Sequence, residues 1–240
     1  MRSEILITFC SVWMAVVGLE FPPFIRKCSL SDPNLRHCII DNANFAIPKL
    51  FKGGLKSNWP LLSPLLVSEL ELPGPGFILT LRDVRLEGLE NFKMTDINFS
   101  LERKRQNISF ATPLYLVTAD YTIQEEGLFT RSTLGGGKMR LTLEQTTLNY
   151  SWNLEQIEKE GEVHLKYDSG RLALKTERVL YKFNDFYVPN AINLGSFLGK
   201  HKEIVDYMIR TAVEQIVFDY IRSIMDNIIE TIPLKDIFDP

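Results

Sequence analysis

Apolar residues recur along this chain with different spacings in different stretches, and each spacing predicts a different element. Leu35, Cys38, Ile39 and Asn42, with Phe45 and Ala46 beyond, step by three and four residues, which predicts a helix continuing to about Leu50. Asp32 is a suitable cap for it and Pro33 a suitable first residue. Pro48 should kink or end it, and Gly53-Gly54 mark its exit. The stretch Trp59-Pro60-Leu61-Leu62-Ser63-Pro64-Leu65-Leu66 is too rich in proline to predict a regular element.

From Phe77 to about Val188 the period falls to two, the mark of antiparallel sheet with one buried face. Alternation runs through Phe92-Met94, Ile97-Phe99-Leu101, Ile108-Phe110 and Tyr115-Val117-Ala119-Tyr121-Ile123. It resumes in Met139-Leu141-Leu143, Leu148-Tyr150-Trp152-Leu154, Val163-Leu165-Tyr167 and Val179-Tyr181-Phe183. Gly135-Gly136-Gly137 reads as a turn or bulge between two strands. It is not a phosphate cradle, because Met139 stands where Ser or Thr is needed and a strand pattern follows where a helix should start.

The last third returns to helical spacing. Ile204, Met208, Ala212, Ile216, Tyr220, Ile224 and Ile228 are four apart, and Val205, Ile209, Val213, Val217 and Ile221 widen the stripe. A single helix from about Lys200 to Ile229 would be about 45 Å long, and its broad apolar stripe calls for something that wraps it. Helix, long antiparallel sheet and long helix make an α+β order in which a curled sheet can enclose a helix.

The N-terminus carries a different signal. After Met1-Arg2-Ser3-Glu4 an apolar run extends from Ile5 to Val17, about 13 residues, too short to span a bilayer and followed by Gly18. Residues 1–18 are therefore expected to be a cleaved export signal, with 19–240 as one domain and an extracellular destination. Cys10 would leave with the signal, so two cysteines remain, Cys28 and Cys38, and in an oxidising compartment they are expected to pair. Export also gives meaning to three N-x-S sequons, at Asn98, Asn107 and Asn149, which should lie on the surface.

Charge and motifs exclude more than they identify. The formal net charge of −3 offers no basic surface for nucleic acid, and Arg103-Lys104-Arg105 reads as a solvated turn. His37, His164 and His201 fall in separate elements with no hydrolase or zinc-protease motif around them. No cysteine or histidine pair has metal-ligand spacing, so no cofactor, metal or catalytic residue is expected. Fifteen phenylalanines and eight tyrosines would serve a closed core or the lining of a dry cavity, and periodicity does not separate the two.

Specific residues carry a resemblance. Cys28, Ser31-Asp32-Pro33-Asn34-Leu35, Cys38-Ile39 and Pro48-Lys49-Leu50-Phe51-Lys52-Gly53 resemble the insect takeout and haemolymph juvenile-hormone-binding family. So do Val84 to Lys93, Ala119 to Ile123, Gly135-Gly136-Gly137-Lys138 and Ile232 to Phe238. One departure is Leu128 to Leu134, where relatives carry a mostly apolar strand. The resemblance implies a tubular lipid-binding fold, a long C-terminal helix wrapped by a strongly curved sheet, with an elongated cavity for an apolar ligand. The implied function is a secreted carrier of a terpenoid hormone, fatty acid or similar molecule, linked to circadian output or feeding, without stable membrane insertion. The alternative is a secreted signalling protein of the same fold with a filled interior, acting on a receptor. The residues expected to line the cavity are Phe45, Leu81, Phe92, Phe99, Phe110, Tyr121, Leu141, Tyr181, Phe183, Met208, Ile216 and Tyr220; Tyr121 and Tyr181 are suited to orient a carbonyl or ester.

Overall fold

The structure, a computed structural model, describes residues 25–51, 63–126, 131–187 and 194–240. The expected export signal, residues 1–18, lies outside them. A short strand β1 (Cys28–Ser29) leads into helix α1 (Leu35–Phe51), which begins where Asp32 accepts a hydrogen bond from the Asn34 amide at 2.7 Å. Pro48 sits inside the last turn and α1 continues past it to Phe51. Cys28 and Cys38 form the expected disulfide, with Cα atoms 5.9 Å apart.

The sheet begins earlier than the alternation indicates. Strand β2 (Leu65–Gly74) starts immediately after Pro64, within the stretch that the prolines had marked as irregular. The reason is positional: proline is tolerated just before a strand, and β2 is an edge strand. It pairs with β3 (Phe77–Glu87), which is followed by a 3-10 turn at Leu89–Asn91 and by β4 (Lys93–Asn98). Three very long strands follow, β5 (Arg105–Glu126), β6 (Arg131–Lys159) and β7 (Glu162–Tyr187). The order across the sheet is β2-β3-β5-β6-β7, with β4 lying end to end with β3 along the same side of β5.

What looked in the sequence like six or seven separate strands is thus three continuous ones with a kink in the middle. Pro113 stands opposite Gln145, whose φ is 52°, and Gln145 in turn stands beside Glu177; regular pairing skips all three. The pairing resumes on both sides, Thr112 with Thr146 and Leu114 with Glu144. Such a line of irregular residues bends all three strands at one level. The glycine run, expected between strands, lies inside β6 and marks a second shift of register. Gly136 is needed there because a Cβ would sit 2.7 Å from the Tyr121 carbonyl oxygen.

Helix α2 (Leu194–Lys200) precedes the long helix α3 (Lys202–Thr231). α3 packs against both β7 and β2, the two outermost strands of the order. The sheet must therefore curl around the helix, giving a half-barrel that α3 fills. The deepest line on α3 is Val205, Ile209, Val213 and Val217, while Ile204 faces out. A last turn α4 (Leu234–Ile237) and strand β8 (Phe238–Asp239) return to the start of the chain, where β8 pairs in parallel with β1. Lys27 and Ser29 donate to the carbonyls of Lys235 and Pro240, each at 2.9 Å, and Phe238 stacks on Phe99 at 5.0 Å.

Candidate functional site

The inner face of the sheet is one continuous lining. Alternation on β5, β6 and β7 points every second residue toward α3, and the inward set is aromatic and aliphatic. At one end Tyr121 meets Phe183 edge-on at 5.2 Å, with Tyr181 parallel to Phe183 at 6.1 Å. Near the kink Tyr115 meets Phe92 at 6.0 Å. Toward the far end Tyr150 stacks on Trp152 at 5.1 Å and lies 5.9 Å from Phe218 of α3. Six or seven residues of strand separate these levels, about 20 Å each at the rise of a strand.

Polar atoms are set into this lining, and several have no partner among the described residues: the hydroxyls of Tyr115, Tyr150 and Tyr167, Trp152 Nε1, His164 Nδ1 and Asp226 Oδ1. Each buried orphan costs about 1 to 3 kcal/mol, and native interiors keep few of them. Burial pushes the Tyr115 hydroxyl well above its ordinary range, with Tyr220 nearby adding to the effect, and burial likewise raises Tyr150, Tyr181 and Tyr220. Tyr181 differs from the orphans because its hydroxyl donates to Asp206, whose other oxygen is held by Arg210 at 2.7 Å.

Between β7 and the two helices an almost wholly apolar pocket of about 210 Å³ opens beside Tyr181, Phe183, Leu198, Gly199, Lys202 and Val205. A larger and more polar groove of about 630 Å³ follows the kink line past Asn44, Phe92, Pro113, Gln145 and Glu177. Among the described residues no group of His, Cys, Asp and Glu is arranged to hold a metal ion, and no helix is long and apolar enough to cross a membrane.

Of the residues expected to line a cavity, Leu81, Phe92, Tyr121 and Leu141 are buried on the inner wall, and Ile216 is buried on α3. Phe99, Phe110, Tyr181, Phe183, Met208 and Tyr220 are half-buried against it. Phe45 is the exception: it is 53% exposed on α1, with the Lys49 ammonium 3.4 Å above its ring. Helical spacing had grouped it with Ala46, but α1 turns Ala46 and Ile47 inward. The sequence reading did not single out Tyr115, Tyr150, Trp152 or Tyr167 as lining, although Tyr150 and Trp152 share parity with buried Leu148 and Leu154. Asn98, Asn107 and Asn149 are all exposed on the outer face.

A strongly curled antiparallel sheet around a long C-terminal helix, with an aromatic inner wall, defines the class of α+β half-barrel folds wrapped on a helix. A family model for haemolymph juvenile hormone binding protein (JHBP) matches residues 5–239, and the chain belongs to that family. The crystal structure of Takeout 1 from Epiphyas postvittana is similar over 89% of this chain and 99% of that one, at a TM-score of 0.71 and 19% identity. A lipopolysaccharide binding protein structure aligns at a TM-score of 0.44 and 7% identity, covering 78% of this chain and 37% of that one. No curated protein sequence matches.

Proposed function

We propose that this chain is a secreted carrier that holds a small lipophilic molecule between the curled sheet and α3. The observation that carries the reading is the combination of an aromatic wall running the length of the sheet with hydroxyls set into it that meet no partner among the described residues. A core built only for stability would pair such hydroxyls or replace Tyr by Phe. Phe92, Phe99 and Phe183 also pair with different rings at different levels of the sheet.

Family membership supports the same reading, since the family is named for proteins that bind a hormone. The disulfide and the apolar run at the N-terminus support export. Binding would be dominated by desolvation: burying about 300 Å² of ligand apolar surface contributes about 7 to 8 kcal/mol before the cost of lost freedom. Affinity of about micromolar or somewhat weaker follows. The ligand class proposed is a terpenoid, a fatty acid derivative or a molecule of similar shape, and the physiological layer proposed is circadian or feeding behaviour.

The test is extraction of the purified secreted protein with organic solvent, followed by mass spectrometry, and displacement of a fluorescent fatty acid probe. A co-purifying lipid and displacement by apolar competitors are expected. No extracted lipid together with no probe binding would overturn the carrier reading in favour of a signalling protein with a filled interior.

A further inference from the structure

Three polar atoms without a partner among the described residues belong to neighbouring side chains at the far end of the lining. Tyr150 is on the inner face of β6, 1% exposed, and Tyr167 is on the inner face of β7, 5% exposed. The two side chains are neighbours, and neither hydroxyl has a hydrogen-bond partner among the described residues. Arg222 and Asp226, one turn apart on α3, complete the group. The Arg222 guanidinium lies 5.0 Å from the Tyr167 ring and 3.5 Å from Asp226 Oδ2. The other Asp226 oxygen, Oδ1, is buried without a partner. Trp152, stacked on Tyr150, contributes an unpartnered indole N–H to the same wall.

The composition of this group selects a chemistry. Two phenol hydroxyls both donate and accept, and an inward carboxylate oxygen only accepts. A neutral hydroxyl satisfies the set, because it donates to Asp226 and accepts from a tyrosine. A ligand carboxylate does not: it would place a second anion beside Asp226, and the Arg222 guanidinium is already paired with Asp226. A hydrocarbon end satisfies none of the three and leaves each one buried and unpaired.

We infer that Tyr150, Tyr167 and Asp226 form a polar anchor that takes the neutral hydroxyl end of an otherwise apolar ligand and disfavours carboxylates. The inference rests on the carrier reading and narrows it to neutral alcohols. Burial raises the Asp226 carboxyl despite Arg222; the side chain is half-buried, with Oδ1 closed off from water and Oδ2 toward Arg222.

The test compares matched twelve-carbon probes, dodecan-1-ol, its methyl ether and dodecanoate, as competitors of one fluorescent lipid probe on the full secreted chain. The alcohol is expected to compete about tenfold better than either of the other two. Asp226→Asn should restore dodecanoate to within about twofold of the alcohol. Tyr150→Phe and Tyr167→Phe should each weaken the alcohol severalfold, and the ether, whose oxygen also accepts from a tyrosine, by no more than that. These substitutions keep the ring or the side-chain shape, and circular dichroism checks that each variant is folded. Equal competition by the three probes in the wild-type protein, or a ratio that Asp226→Asn does not change, would overturn the anchor while leaving the carrier standing. A wild-type protein that binds no probe would remove both.

Discussion

Gly170 of β7 stands directly opposite Trp152 of β6, and the space that its missing side chain leaves is taken by the Tyr167 hydroxyl: a Cβ at 170 would lie 2.0 Å from that oxygen. Tyr167 therefore folds back along its own strand over the glycine, and the backbone between them carries the register shift at Asn153 and Leu154. The relationship ties the position of one anchor hydroxyl to a residue with no side chain.

Gly170→Ala is accordingly expected to push Tyr167 away from its seat. The new Cβ would also sit 3.1 Å from the Ser151 carbonyl oxygen, so relief by a small backbone shift is restricted on that side. Overpacking of this kind costs about 1 to 3 kcal/mol. Thermal melting of the variant measures it, and a midpoint equal to the wild type would show that Tyr167 moves freely. The contrast is Gly161, in the β6–β7 turn at φ +80° with open space around it, where Ala would cost about 1 kcal/mol through backbone strain alone.

The four raised tyrosines set a pH window. Tyr115, Tyr150, Tyr181 and Tyr220 all hold their protons more tightly in the folded chain than in the unfolded one, chiefly because burial disfavours the phenolate. A raised folded value means that the stability contribution is complete below the unfolded value of about 10 and declines as pH rises beyond it. Denaturant midpoints should thus be flat through pH 8 to 9 with respect to these groups and fall above about pH 10. The fully buried Tyr115 alone should contribute a slope of about 1.4 kcal/mol per pH unit there. Tyr115→Phe should make the alkaline decline shallower, and an unchanged slope would show that its hydroxyl reaches water.

Much of this architecture was legible before the structure, and the limits are physical. The long α3 and the alternating strands could be read because Val205, Ile209, Val213 and the Tyr115 to Ile123 run obey local periods. β2 was hidden because Pro60 and Pro64 dominate a local reading, whereas its pairing with β3 depends on residues further along. The kink at Pro113, Gln145 and Glu177 shows in the sequence only as a break in parity between Phe110 and Tyr115 and between Leu143 and Leu148. Nothing local says that hydrogen bonding continues through it. The group of Tyr150, Tyr167 and Asp226 was beyond reach for a related reason, since it assembles from two strands and a helix far apart in sequence.

The three sequons converge on one outer patch. Asn98 of β4 is the direct partner of Asn107 of β5, and the Asn149 side chain accepts a hydrogen bond of 2.8 Å from Ser109, the serine of the Asn107 sequon. Glycans there would project away from the lining, so enzymatic deglycosylation of protein secreted from eukaryotic cells should lower its mass and leave probe binding unchanged. Asn98→Gln and Asn107→Gln should each alter stability by less than about 0.5 kcal/mol, as expected of exposed positions. A loss of probe binding on deglycosylation would place the patch in the binding machinery.

The Cys28–Cys38 bond holds more than the first turn of α1. Cys28 belongs to β1, which pairs with β8, and β8 carries Phe238 onto Phe99 at the far end of the lining. Asn42 adds to the junction by donating to the Arg26 carbonyl at 2.9 Å. Replacing both cysteines with Ser should cost about 2 to 3 kcal/mol on the loop-entropy account. The loss should be felt unevenly: amide exchange at Leu30, which donates to the Asp239 carbonyl at 2.9 Å, should accelerate far more than exchange in the β5–β6 ladder. If the clasp restrains the ligand, off-rates of a bound fluorescent lipid should rise in the same variant by a larger factor than the equilibrium affinity falls. Accelerated exchange at Leu30 with an unaltered off-rate would reduce the bond to a staple of the chain ends, with ligand leaving through the pocket beside Tyr181 and Leu198 at the other end.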